Sequence, residues 1–298
     1  MGGVRMSSEA VVVGFDFRES SRRAVRWAAW EAAGRGRPLH LVHVLAWPFE
    51  ERTAIRVPGE GDVSEPLVQA LRRELADLVD ECKRIDADLP VRSELPFGDP
   101  VQVLAGMAAT AELLVLGGPR LEPAVGVGAT SAELLARRGG APVVVVRGGR
   151  DEPGSDPVVV GVDGSAGSRA ALEFAFDFAS RNRCELVAVH AWSDLPLDPF
   201  ERVARWELPW SEVREEAEGV LAEAIAGWGE QYPDVSVRRV VTPEKPTQAL
   251  LREVEQAQAG LAVVGSHGRG RVRRSLLGSV SHAVVNRAPC PVAVLRVS

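Results

Sequence analysis

Residues 265–282 read GSHGRGRVRRSLLGSVSH, and their chemistry points to anion capture. Gly265, Gly268, Gly270 and Gly278 lack a Cβ. The backbone there can turn sharply and bring its N–H groups close to a ligand. Val280, Ala283 and Val284 fall at helical spacing, so a helix is expected to start at Gly278-Ser279. A helix N-terminus offers unpaired N–H donors and a positive dipole end, worth about 0.3–1 kcal/mol per anion contact. Ser279 and Ser281 add hydroxyls, His267 could donate a hydrogen bond, and Arg269, Arg271, Arg273 and Arg274 could pair with a phosphate. The stretch is not a P-loop, because no Gly-Lys-Ser/Thr follows. Nor is it the dinucleotide fingerprint, which would follow the first strand of its unit. A connecting turn with capping serines and a solvated arginine face fits the same residues, so two readings stand at this point.

The elements that must position this loop recur. VVVGFDFRESSRRAVRWAAWEAA from Val11 aligns with VVVGVDGSAGSRAALEFAFDFAS from Val158. An offset of 147 pairs Gly14 with Gly161, Asp16 with Asp163 and Ser21 with Ser168. Further on, LHLVHVLAW matches CELVAVHAW, AELLVLGG matches AGLAVVGS, and APVVVVR matches CPVAVLR. The chain is therefore read as a duplicated unit of ordinary domain size, with domains at residues 1–149 and 150–298 and a linker-like segment GGRDEPGSDP between them. Within each unit, β-branched runs bounded by turn residues alternate with helical patterns. Val25, Ala28, Ala29 and Ala32 share one helical face, as do Ala171, Phe174, Ala175 and Phe178. Such alternation predicts an α/β fold, a parallel sheet with helices on both faces. Ligands of such sheets sit beyond the carboxyl ends of the strands. Long connections at 47–66 and 192–210 suit either packing over their own domain or covering a ligand or partner.

Bulk properties exclude several classes. The chain has 298 residues, a net charge of −6 and 26% charged residues, so a general electrostatic affinity for nucleic acid is not expected. Cys82, Cys184 and Cys290 are dispersed, which suits a reducing cytoplasm rather than a disulfide framework. No run approaches the length of a membrane span, and the N-terminus has no apolar signal core. The five histidines form no metal-ligand cluster with carboxylates or thiols, so no metal site is expected.

The spacing Gly265-x2-Gly268-x9-Gly278-Ser279, with VVVGVDGSAGSRAAL, VAVHAW and APCPVAVLR, resembles the nucleotide-binding signature of the universal stress protein family. The resemblance covers nearly the whole chain as two tandem copies. It implies two Rossmann-like, doubly wound domains, each a five-stranded parallel sheet of order 3-2-1-4-5. It also implies an ATP site in the second domain, with Mg as a possible companion of the nucleotide. Asp163 would take the adenine side with Gly161 close by, and the Ala191 backbone would meet the adenine edge. Val264 and Gly265 would line base and ribose, and Gly268, Gly278, Ser279, Val280 and Ser281 would hold phosphates. Glu244 stands where the family has a glycine, an extra carboxylate expected to weaken binding. The first domain keeps Gly14, Asp16, Gly117 and Gly128 as a weakened second site. Its loop GGPRLEPAVGVGATS loses the second glycine and the serine, and prolines remove two N–H donors. Family resemblance also implies that VVVVR and VAVLRV pair within the chain as a pseudo-dimer, with homodimerisation possible.

No catalytic residue is assigned. There is no Walker lysine, no acid pair at metal spacing and no Ser-His-Asp order, so any hydrolysis is expected to be slow. Three functions remain open on sequence. One is a nucleotide-responsive stress or signalling protein acting through a protein partner. The others are a slow ATPase or nucleotidyl-transfer enzyme, and a nucleotide-free adaptor.

Overall fold

Short valine-rich runs build the sheets, because β-branched side chains pack well on a pleated surface buried on both faces. A computed structural model describes residues 9–45, 64–118, 134–135, 140–148, 154–192, 210–268 and 277–296. They form two compact units with the boundary after Val146.

The first unit contains β1 (Val11–Gly14), β2 (Leu39–Val42), β3 (Val91–Glu94), β4 (Leu113–Gly117) and β5 (Val143–Val146). All pair in parallel, in the order β3-β2-β1-β4-β5. The second repeats this with β6 (Val158–Gly161), β7 (Leu186–Ala191), β8 (Val237–Thr242), β9 (Leu261–Gly265) and β10 (Val292–Leu295), ordered β8-β7-β6-β9-β10. Both therefore have the expected 3-2-1-4-5 order. The central strands β1 and β6 are buried along their length up to the closing glycine.

Helices of the first unit are α1 (Glu19–Arg35), α2 (Ser64–Ile85) and α3 (Pro100–Ala108). Those of the second are α4 (Ala166–Asn182), α5 (Trp210–Ile225), α6 (Trp228–Gln231), α7 (Pro246–Gln256) and α8 (Ser279–Arg287). Capping explains where several begin. Asp99 Oδ1 accepts from Gln102 N at 2.8 Å ahead of α3, with Pro100 in its first turn. Ser165 Oγ accepts from Ser168 N at 3.2 Å ahead of α4. Val25, Ala28, Ala29 and Ala32 on α1, and Ala171, Phe174, Ala175 and Phe178 on α4, are all buried. Right-handed crossovers put α1 and α2 on one face of the sheet and α3 on the other. Consistent with this, α1 packs on β1, β4 and β5 and touches α2, and α7 touches α8. The helix expected between β4 and β5 falls largely outside the described residues. So do most of the connections at 47–66 and 192–210.

In both units the fourth strand crosses the start of the first helix backbone to backbone. An ideal Cβ on Gly265 would lie 2.8 Å from the Gly167 carbonyl carbon, and one on Gly117 would lie 2.7 Å from Ser21 N. Near the other end of the first sheet, His40 is buried on β2 and its Nε2 lies 3.5 Å from Glu94 Oε1. Burial pushes its pKa below the ordinary 6.5, against an upward pull from Glu94 and with a smaller downward push from Arg92.

Two predictions follow from this packing. Gly265→Ala and Gly117→Ala should each destabilise the chain by about 1–3 kcal/mol in denaturant unfolding, since the added methyl meets rigid backbone. As pH falls, the unfolded chain protonates His40 before the folded one does. The stability this histidine contributes is thus complete above its unfolded value of 6.5 and is lost as pH descends toward the folded value. The denaturation midpoint should drop as pH falls below about 6.5, and His40→Leu should flatten that slope.

Candidate functional site

At the carboxyl end of the second sheet, one carbonyl gathers the loop. Ser266, just past β9, donates its N–H to Leu295 O at 2.7 Å. Its own carbonyl accepts from Gly278 N at 2.8 Å and from Ser281 Oγ at 3.1 Å. These bonds close the loop 267–277 at its base and bring its start against the first turn of α8. Gly278 caps that helix in an extended conformation (φ −62, ψ 150) with no side-chain cap. Helix geometry leaves the N–H groups of Ser279, Val280 and Ser281 without an intrahelical acceptor. Ser279 is exposed, Val280 half-buried and Ser281 buried. The Ser281 hydroxyl points inward, its one proton shared between Ser266 O at 3.1 Å and Gly278 O at 3.0 Å, so it braces the loop instead of facing outward.

Asp163 follows β6 and is held by an Asx turn, its Oδ1 accepting from Ser165 N at 2.9 Å. Gly268 lies over this carboxylate: an ideal Cβ there would be 2.5 Å from Asp163 Oδ2, so a side chain at 268 would have to displace the carboxylate. Asp163, Gly268 and the α8 N-terminus thus meet at one corner. Val264 is buried in β9 beside β10, and Ala191 ends β7, opposite Thr242. Gly161 has a packing reason of its own. Its Cβ position would meet Leu250 at 3.2 Å and Val264 at 3.7 Å, so α7 fills the space a side chain would take. Glu244, expected as an extra carboxylate that weakens binding, pairs with Arg252 of α7. His267 Nδ1 lies 3.2 Å from Ser266 Oγ. Arg269, Arg271, Arg273 and Arg274 lie outside the described residues.

One pair of residues was missed as functional in the sequence. His190 Nδ1 lies 2.7 Å from Val162 O, and His43 Nδ1 lies 2.7 Å from Phe15 O. Because a carbonyl can only accept, each ring carries its proton on Nδ1. Each ties the end of the second strand of its unit to the residue before the aspartate. The signal was present, since 43 and 190 are mates at the offset of 147.

In the first unit the aspartate and the strand-end glycines are held as in the second, and the residue after the aspartate differs. Asp16 Oδ1 accepts from Arg18 N at 3.1 Å, and its Oδ2 lies 3.5 Å from Arg18 Nε in an exposed pair. Gly14 is walled by Leu116 and Leu104. Gly117 lies against the start of α1, and Gly128 lies outside the described residues. Phe17 occupies the left-handed region (φ 65), where its repeat mate Gly164 sits at φ 75. For a residue with a Cβ this conformation costs about 1–2 kcal/mol. Its ring packs edge-on against Phe15 at 4.7 Å and His43 at 4.5 Å, and the Arg22 guanidinium lies 5.7 Å from the Phe15 centroid.

Chemically, the second corner can hold an anion on backbone amides beside a carboxylate, with a histidine next to it. Among the described residues, no group of three or more His, Cys, Asp or Glu side chains is placed to hold a metal. None of their helices is long and apolar enough to cross a membrane. Cys82, Cys184 and Cys290 are free and buried, and burial pushes their thiols up to about 12, 11 and 12 respectively, so none is poised as a nucleophile.

Comparison with known proteins accords with this architecture. The sequence model of the universal stress protein family matches residues 8–147 and again 154–296. A universal stress protein of Mycobacterium tuberculosis is 41% identical over 300 residues, covering 97% of each chain. One from Mycolicibacterium smegmatis is 38% identical over 301 residues, covering 96% of each. Among solved structures, a universal stress protein from Archaeoglobus fulgidus has the same fold, with a TM-score of 0.66 at 21% identity, over 97% of this chain and 99% of its own. With both halves matched to one family and relatives aligned end to end, this chain belongs to the universal stress protein family as a tandem two-domain member.

Proposed function

We propose that the second unit binds ATP at the corner formed by Asp163, Gly268 and the first turn of α8, and that nucleotide occupancy governs which protein partner the chain engages in a stress response. The observation carrying this reading is the closed loop. The Ser266 carbonyl holds Gly278 and Ser281 so that an uncapped helix N-terminus faces a loop whose glycine lies on a carboxylate. Amides at such a terminus favour phosphate oxygens, and a carboxylate suits the donor edge of adenine or the ribose hydroxyls. In this reading Ser279 and Val280 hold phosphates through their N–H groups, Arg269 adds charge, and Val264, Gly265 and Ala191 flank base and ribose. Ser281 keeps the loop closed, and Mg accompanies the triphosphate. The pairing of Glu244 with Arg252 lowers the penalty its charge would impose.

In the same reading the first unit serves mainly as a structural partner and the protein works in the reducing cytoplasm, where three buried thiols need no protection.

Equilibrium binding of labelled ATP to the intact chain tests the site. Saturable binding is expected. Ser279→Glu puts an anion at the exposed helix start and should weaken binding by about tenfold or more. Gly278→Asp, whose Cβ would lie 3.1 Å from Ser266 O, should weaken it further by opening the loop base. Equal binding by all three proteins would refute the site. Native mass spectrometry of freshly purified chain should show co-purified adenine nucleotide.

A further inference from the structure

The two halves differ at the amino edge of their sheets, the end away from the strand-end aspartates. On α7, Leu250 faces Gly161, and on α3, Leu104 faces Gly14, each 3.2 Å from where a Cβ would sit. Three residues further along these helices, Glu253 and Met107 are therefore structural mates. Strand register likewise matches Arg238, opposite Val187, with Arg92, opposite His40. In the second unit Arg238 carries two carboxylates, Glu253 Oε2 at 3.0 Å and Glu185 Oε2 at 3.7 Å, and Glu253 is buried. In the first unit both are replaced. Met107 stands for Glu253, and Pro38 stands for Glu185 at the offset of 147.

A cavity of about 50 Å³ lies there, partly open to solvent, with Pro38, Leu39, His40, Arg92, Met107 and Thr110 in its walls. Val12, His40 and Arg92 are register partners, so their side chains share the face that α3 covers. His40 is only 5% exposed, and its buried Nε2 has no hydrogen-bond partner among the described residues. Leaving such an atom dry and unpaired is costly. Arg92 pairs with Glu94 of its own strand at 3.3 Å, and Glu94 Oε1 lies 3.5 Å from His40 Nε2, where its charge opposes a further anion. Arg238 shows that one guanidinium in this setting holds two carboxylates. A space of this size takes about three to five waters, or a carboxylate head with a short alkyl tail against Met107 and Leu39.

We infer that this cavity is a binding site for a short-chain monocarboxylate, whose head takes the place of the Glu253 carboxylate beside Arg92 and accepts a hydrogen bond from His40 Nε2. The site lies at the opposite end of the sheet from Asp16 and does not rest on the ATP reading.

The probe is sodium butyrate, titrated into the intact chain against sodium chloride and against butyramide, an uncharged mimic of equal size. The readout is the ring ¹H–¹³C signals of His40, assigned by their loss in His40→Leu. Saturable shifts in the millimolar range are expected for butyrate, as suits a ligand of about six heavy atoms, and none for the other two. Met107→Glu restores the internal carboxylate of the second unit and should abolish the response. Arg92→Gln, on the edge strand, should weaken binding by about tenfold or more. Unfolding midpoints and an unmoved His190 signal check the fold of both variants. A parent whose His40 signals stay still, or move equally with butyramide or chloride, would overturn the inference and leave the cavity to water. So would either variant, folded, binding butyrate as the parent does. If Met107→Glu does not fold, Arg92→Gln alone decides.

Discussion

The Ser266 carbonyl is the point on which the second unit's corner depends. A carbonyl oxygen has two lone pairs, and here one accepts from Gly278 N and the other from Ser281 Oγ. Together with the bond from Ser266 N to Leu295 O, this fixes the chain leaving β9 against both β10 and α8. Without it, the helix start, the loop start and Asp163 would have no common geometry. The serine hydroxyl that sequence spacing offers to a ligand is spent on keeping the ligand's surroundings in place.

Close backbone contact sets a second constraint. The chain after β9 lies down on the first turn of α4, with glycine on both sides: Gly265 against Gly167, and Gly167 against the His267 carbonyl. The first unit has glycine on one side only, Gly117, and a serine, Ser20, on the other. The approach is equally tight in both, since an ideal Cβ on Gly117 would lie 2.7 Å from Ser21 N and one on Gly265 2.8 Å from the Gly167 carbonyl carbon, so a glycine on the strand side is enough for it. The halves diverge outside their central strands, and the VVVG cores at β1 and β6 stay alike.

Much of the architecture was legible in the sequence because it depends on local periodicity. The VVVG runs, the buried faces at Val25–Ala32 and Ala171–Phe178, and the helix start beside Gly278 all follow from patterns within a few turns of chain. The site was legible as a set of positions but not as a set of roles. Whether Ser281 faces outward or inward depends on a carbonyl fifteen residues away. That Gly161 packs against Leu250, and that the Glu244 carboxylate pairs with Arg252, depends on where α7 lies. Such pairings are tertiary, and no spacing rule encodes them. The histidine ties were the exception, being readable from the repeat itself.

Those ties carry a consequence for substitution. His43 and His190 donate from Nδ1 to carbonyl oxygens. A side chain of similar bulk without that N–H would fill the same space and still leave the carbonyl of Phe15 or Val162 without this donor. The joint between first and second strands, where each aspartate is presented, thus depends on a donor as well as on a shape.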